Sequence, residues 1–205
     1  MLVGLVDIGI GNLGSLKSAL NKLNVQFRSC HKPEDFDGCN KFIVPGVGAF
    51  GKFMEKIQEN HLDKKIIEVC RKKYPILGIC VGFQILFEGS YEHGYHKGLN
   101  LLKGNFYNFQ HNIKNLPIPH VGWNYCKLTK NKNKLFHTIE DMSDFYFTHS
   151  YFLKNYEGEF VLSTTNYDID FVSSINKNNI FGVQFHPEKS QKNGLRILKN
   201  FIEFC

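Results

Sequence analysis

Short apolar runs alternate with amphipathic stretches through the first half of the chain, and the spacing in each predicts its element. The run at 2–7 (LVGLVD) has the length of a buried strand and leads through a glycine-rich loop into a helix over 15–23, with Ser15 as its N-cap. Residues 25–30 (VQFRSC) and 41–45 (KFIVP) predict the second and third strands. Helices follow at 50–59 and 62–73, the latter carrying Leu62, Ile66, Ile67 and Val69 at helical spacing. The run YPILGIC predicts a buried strand ending at Cys80, with a helix over 82–88 after it. Strands alternating with helices in this way build βα units and a parallel sheet.

From about 99 to 185 the pattern changes. Aromatic and β-branched runs (LLKGNFYNF, DFYFTHSYF, FVLSTTNY, FVSSIN, IFGVQF) are separated by Asn, Gly and Lys turns, which predicts a mixed or antiparallel extension of the sheet. A closing helix over 191–204 places Leu195, Leu198 and Ile202 on one face. No repeat, linker or low-complexity tail breaks the 205 residues. The expected organisation is one α/β domain spanning 1–205, with a mostly parallel central sheet flanked by helices and an added mixed or antiparallel portion.

Composition narrows the setting. Hydrophobic residues make up 42% and charged residues 21%, values of an ordinary globular chain with a core able to fold without staples. The six cysteines (30, 39, 70, 80, 126, 205) are scattered without a C-x-x-C or a short metal spacing, which suits reduced thiols in the cytoplasm. The amino terminus lacks a basic n-region and a cleavage signal, and Asp7 interrupts its apolar run, so a strand is expected there and not a secretory signal. No apolar stretch approaches the roughly 20 residues that span a bilayer, so no membrane partner is expected. The formal net charge is +6, but its lysines are dispersed, with only short pairs such as Lys64-Lys65 and Lys72-Lys73. Without an accompanying nucleic-acid motif they predict a solvated surface and no nucleic-acid partner.

Three segments carry candidate chemistry. Gly78-Ile79-Cys80-Val81-Gly82 falls where an apolar strand turns into a helix, a position that exposes a nucleophile on a tight turn and supplies free N–H groups to a developing oxyanion. A helix amino terminus also favours the thiolate, the reactive form of cysteine. The alternative for Cys80 is a small buried hydrophobe. Downstream, a strand leads into His186-Pro187-Glu188. Histidine can take and return a proton near neutral pH, and a carboxylate two residues on projects to the same side of an extended backbone, where it can orient the imidazole. A surface turn is the alternative there. Pro45-Gly46-Val47-Gly48 follows the third strand, and its glycines let backbone N–H groups point inward as an oxyanion site requires. By itself this segment reads as an ordinary glycine-rich turn.

Taken together, Gly-Ile-Cys-Val-Gly-Phe-Gln at 78–84 and Gln-Phe-His-Pro-Glu at 184–188 resemble the two signatures of class I (triad) glutamine amidotransferases. Pro119-His120-Val121-Gly122-Trp123-Asn124 and Tyr146-Phe147-Thr148-His149-Ser150-Tyr151 are similar to segments of one branch, the glutaminase subunits of imidazole glycerol phosphate synthases. The likeness runs from Asp7-Ile8-Gly9-Ile10-Gly11-Asn12 to Lys189. The resemblance implies a Cys80, His186 and Glu188 triad that hydrolyses L-glutamine through a thioester. It implies an oxyanion hole from Val81 and the Gly46, Val47 and Gly48 segment, and a glutamine pocket formed by Gln84, His149, Ser150 and Tyr151. It further implies a (βα)₈-barrel cyclase partner in a 1:1 heterodimer, docked near His120, Trp123, Asn124, Tyr146 and Lys189. That partner receives the ammonia, and activity is weak until it and its ligand are bound. No metal and no cofactor are implied.

Three positions depart from the family pattern: Val81 and Phe83 replace the usual Leu and Met, and Gly14 stands where Arg is common. Gly14 leaves open a related glutaminase that serves a sugar-modifying amidotransferase. Outside the family, a cysteine hydrolase or peptidase and a non-catalytic binding module are the competing readings. Two lookalikes are set aside. Gly9-Ile10-Gly11-Asn12-Leu13-Gly14 matches G-x-G-x-x-G between a strand and a helix, but Cys30-His31 occupy the place of the acidic residue that holds a dinucleotide ribose. His93-x-x-His96 lies in a glycine-rich stretch without a companion ligand set.

Overall fold

The computed structural model describes residues 1–11, 13–129 and 133–205, so Asn12, part of the glycine-rich segment noted above, lies outside the described residues. The first half runs β1 (Val3–Val6), α1 (Gly14–Lys22), β2 (Phe27–Cys30), β3 (Lys41–Gly46), α2 (Phe50–Glu59), α3 (Leu62–Arg71), β4 (Ile76–Cys80) and α4 (Val81–Gln84). The second half runs β5 (Gly89–Ser90), β6 (His96–Lys97), β7 (Asn105–Asn108), β8 (His120–Leu128), β9 (Ser143–His149), β10 (Tyr151–Lys154), β11 (Val161–Tyr167), β12 (Ile169–Lys177), β13 (Ile180–Val183) and α5 (Gln191–Phe204).

Nine strands form one sheet in the order β2-β1-β3-β4-β13-β12-β11-β8-β9. The strands from β2 to β13 pair in parallel, and those from β13 to β9 in antiparallel fashion. The change of pattern read in the sequence is therefore the change of strand direction. A four-stranded sheet, β10-β7-β5-β6, lies beside it. In the parallel part β1, β4 and β13 are buried along their whole length, which is why their sequences are continuously apolar. Helices α1, α2, α3 and α5 bury one apolar face each, and all of these residues join one hydrophobic cluster with the strands.

Four local expectations are corrected. Ser15 does not cap α1: the helix opens one residue earlier, with Leu13 at the N-cap and no side-chain cap. Leu13 O already accepts from Lys17 N at 2.9 Å, and the Leu13 side chain packs on the core, so burial sets the start. The helix expected over 82–88 stops at Gln84, because the segment at 98–102 crosses behind it. There Leu99 N and Asn100 N take the Ile85 and Phe87 carbonyls at 2.7 and 3.0 Å, acceptors that a continuing helix would need. On α5 the buried face is led by Ile197, Leu198, Phe201 and Ile202, while Leu195 is only partly buried. Finally, the long strand β8 has no counterpart among the predicted strands, since its glycine, asparagine and lysine dilute the β signal.

Candidate active site

Strand β4 ends at Cys80 and α4 begins at the next residue, so the chain turns from strand to helix across one peptide. Cys80 takes φ 53° and ψ −113° to do so, a conformation that costs a non-glycine residue about 1–3 kcal/mol. Its glycine neighbours make the turn possible by letting backbone approach backbone. A Cβ on Gly82 would stand 1.8 Å from Val44 O, and one on Gly78 would stand 2.6 Å from Gly82 O. The thiol is thereby presented at the carboxyl end of the parallel strands, where open α/β sheets place their ligands.

His186 follows β13, which pairs in parallel with β4 so that Val183 lies opposite Ile79. Residues far apart in the chain thus leave neighbouring strands at the same edge. His186 Nδ1 lies 2.7 Å from Glu188 Oε1, on a short 3₁₀ turn over Pro187–Lys189. Ser190 fixes that turn: its Oγ donates to His186 O at 2.6 Å and accepts from Tyr146 N at 2.9 Å. Burial disfavours charge on the imidazole, but the adjacent Cys80 sulfur and the Glu188 carboxylate outweigh it and push the His186 pKa up to about 10. His186 Nε2 is buried without a partner, and the thiol is turned toward Thr148 O at 3.8 Å. A thiol beside an imidazole that a carboxylate orients is an arrangement able to attack a carbonyl carbon.

A cavity of about 230 Å³ opens on the thiol. Its lining includes Val47, Gly48, Val81, Gln84, His149, Ser150, Tyr151 and His186, so the structure brings these sequence-derived candidates together around Cys80. Gly46 lies off this cavity, at the end of β3 and opposite Cys80 in the register. Gly48 has φ +97°, a region that suits glycine.

Two further residues went unassigned in the sequence. Glu92 is the carboxylate of the cavity lining, and its Oε2 accepts Phe50 N at 2.6 Å, at the start of α2. Gln184 accepts from Gln84 Nε2 at 3.1 Å and donates its own Nε2 to Cys80 Sγ at 3.7 Å, linking the pocket wall to the sulfur. Gln184 sits inside the second motif and had a positional signal. Glu92 had none, because it lies in an irregular loop between short strands.

The five residues that the resemblance places near partner docking divide into two groups. Trp123, 49% exposed, packs edge-on against its cross-strand neighbour Tyr146, and Lys189 Nζ stands 5.5 Å from the Tyr146 ring centroid. His120, only 3% exposed, lies beneath the surface, and Asn124 is turned toward it on the same face of β8. Burial pushes the His120 pKa down to about 4, and burial with the charge of His120 pushes His149 down to about 3.

Both folded-state values lie below the ordinary 6.5, so acid protonates these rings first in the unfolded chain. Their contribution to stability is complete above about pH 6.5 and is lost as pH falls toward 4. His186, with its raised pKa, acts oppositely and returns a smaller part over the same window. A net loss on the order of 3 kcal/mol is expected between pH 7 and pH 5. Urea titration at the two pH values measures it, and an unshifted midpoint would show that the buried imidazoles are charged or hydrated.

The sequence profile described as "Glutamine amidotransferase class-I" matches residues 4–204. The chain is 40% identical over 212 residues to the imidazole glycerol phosphate synthase subunit HisH of Helicobacter hepaticus, with 98% of this chain and 97% of that one covered. It is 42% identical over 201 residues to the protein of the same name from Moorella thermoacetica, covering 98% and 94%. Among solved structures, that of PurLQS from Thermotoga maritima superposes with a TM-score of 0.78 at 16% identity over 99% and 98% of the two chains. A glutamine amidotransferase crystal structure gives 0.75, also at 16% identity, over 98% and 97%. At such identities the structures attest the fold, while the profile and the relatives reach further. With a thiol on a strand-to-helix turn, an imidazole beside it and a match along almost its whole length, the chain belongs to the class-I glutamine amidotransferase family.

Proposed function

We propose that the chain is the glutaminase subunit of an imidazole glycerol phosphate synthase in histidine biosynthesis, hydrolysing L-glutamine to L-glutamate and ammonia for the cyclase subunit. The observation that carries this reading is the thiol, imidazole and carboxylate set on an amino-acid-sized cavity, in a chain whose relatives bear that subunit name.

Before attack the Cys80 proton passes to His186 Nε2, whose raised pKa favours holding it, and the sulfur then adds as a thiolate to the glutamine amide carbon. The resulting oxyanion takes N–H groups from Val81 and the 46–48 loop, a donor pair in which each member is typically worth about 10²–10³ in rate. Breakage of the C–N bond, with the His186 proton going to the leaving nitrogen, releases ammonia and leaves a γ-glutamyl thioester. Water, giving its proton to His186, then cleaves the thioester, frees glutamate and restores the thiol. Glu188 holds His186 by Nδ1, so that Nε2 is the nitrogen that exchanges protons. In the cavity, the Glu92 carboxylate suits the α-ammonium of the substrate, and Gln84 with the His149-Ser150-Tyr151 wall lies within reach of its other backbone groups.

The resting geometry supports low activity in the isolated subunit. The thiol donates to Thr148 O and His186 Nε2 has no partner, so attack needs a small realignment. Trp123 and Tyr146, paired within β8 and β9, together with Lys189 offer the partner an aromatic and cationic face. A sugar-modifying amidotransferase as partner is not favoured, because the relatives carry the synthase-subunit name. Glutamate release is to be measured for the subunit alone, with the histidine-pathway cyclase, with that cyclase and its nucleotide ligand, and with a sugar amidotransferase synthase. Stimulation by the cyclase and its ligand is expected. Stimulation by the other synthase alone would overturn the assignment of partner, and no glutamate under any condition would overturn the activity.

A further inference from the structure

Beneath the exposed Trp123 face, an unbroken hydrogen-bond chain runs from β8 to the cavity wall. Asn124 Nδ2 lies 3.3 Å from His120 Nε2, His120 Nδ1 lies 3.1 Å from His149 Nε2, and His149 Nδ1 lies 2.9 Å from Tyr151 O. Its polarity is set at both ends. At the inner end a carbonyl can only accept, so His149 carries its proton on Nδ1 and its Nε2 must accept. At the outer end Asn124 Nδ2 also donates to Asn166 O at 2.9 Å, while Asn124 Oδ1 accepts Tyr125 N at 2.9 Å, so the amide cannot be reversed. It follows that His120 carries Nδ1–H and accepts at Nε2. Both imidazoles are neutral and in the Nδ1–H tautomer, the less common form of a free histidine ring. The rings are caged by Tyr167, Phe147, Phe109 and Phe171; the one hydroxyl among them, that of Tyr167, donates to Pro117 O at 2.7 Å and so does not compete.

We infer that His120 and Asn124 are positioning residues for the glutamine pocket, acting through this chain of fixed polarity to hold His149 and the Tyr151 carbonyl, and with them the wall that receives the substrate. Neither residue lines the cavity, so neither touches the ligand; each acts on a residue that does. The inference rests on the reading of that cavity as the glutamine site.

Two substitutions separate polarity from packing. His120→Phe keeps an aromatic ring against Tyr167 and Phe147 but leaves His149 Nε2 facing carbon. His120→Asn loses the ring but can place an amide nitrogen where Nδ1 stood. In the complex with the cyclase subunit and its nucleotide ligand, His120→Phe is expected to raise the KM for glutamine about tenfold, the order of one buried hydrogen bond lost with its acceptor left bare. Its kcat should stay within about threefold, and His120→Asn should return KM to within about threefold of the parent. Equal KM values in all three proteins, or His120→Asn impaired as much as His120→Phe, would overturn the inference. Should His120→Phe fail to fold, ¹⁵N NMR of histidine-labelled parent complex decides: an Nε2–H tautomer at either ring breaks the chain as described. A parent complex that does not hydrolyse glutamine would instead bring down the reading of the cavity.

Discussion

Replacing Cys80 by alanine is expected to lower glutamate release from the complex by at least about 10⁴-fold, the scale on which removal of a covalent nucleophile acts. The substitution is clean because alanine keeps the Cβ and adds no new demand at φ 53°. What it removes besides the nucleophile is a weak contact to Thr148 O at 3.8 Å, one from Gln184 Nε2 at 3.7 Å, and the sulfur's part in raising the His186 pKa. The fold and the partner face should persist, and cyclase turnover fed with ammonium chloride should stay within about twofold of the parent, since no chemistry on this chain is needed for it. Glutamate measured enzymatically in one assay, and ammonium-driven product in another, separate the two activities. Undiminished glutamate release would remove Cys80 from the reaction. Loss of both activities would point to a damaged complex.

A second large effect is expected two residues away, at Gly82. A methyl group on Gly82 would stand 1.8 Å from Val44 O and 2.7 Å from Val44 C, both backbone atoms of the buried strand β3. No rotamer relieves that overlap. Either β3 moves, breaking its register with β4, or α4 lifts and carries Cys80 with it. Overpacking against backbone exceeds the 1–3 kcal/mol typical of an enlarged side chain, and a domain has only about 5–15 kcal/mol in total. Gly82→Ala is therefore expected to lose most soluble yield, with a sharply lowered melting temperature and no glutaminase activity in what survives. Gly158→Ala is the control, because an added Cβ there meets nothing within 4 Å. Parent-like melting of Gly82→Ala, followed by circular dichroism, would contradict the packing described.

How far the sequence could be read depended on whether a feature was local. The βα pattern, the strand ending at Cys80 and the span of α5 were legible, because apolar spacing and glycine placement are written over a few residues. The end of α4 was not, because it is decided by residues 98–102 crossing behind it, and periodicity carries no such information. Strand β8 was hidden for a related reason: one side of it is exposed (Val121 is 54% exposed), so its sequence is mixed. At the site, Cys80, His186 and Glu188 stood out as residue types in strained or punctuated contexts. Glu92 and Gln184 gained their significance only from cross-chain neighbours, and the buried state of His120 and His149 depends on aromatic rings supplied by four separate strands and turns.

Strand β13 is the last strand of the chain, yet it lies in the interior of the nine-stranded sheet, wedged between β4 and β12. During synthesis the thiol of residue 80 leaves the ribosome long before the imidazole of residue 186, and a nascent chain that has built its first four parallel strands still has an open edge where the base must insert. Such long-range pairing is the slow kind. On the proposed reading the thiol therefore has no base in a half-made protein, and glutaminase competence arrives together with completion of the sheet.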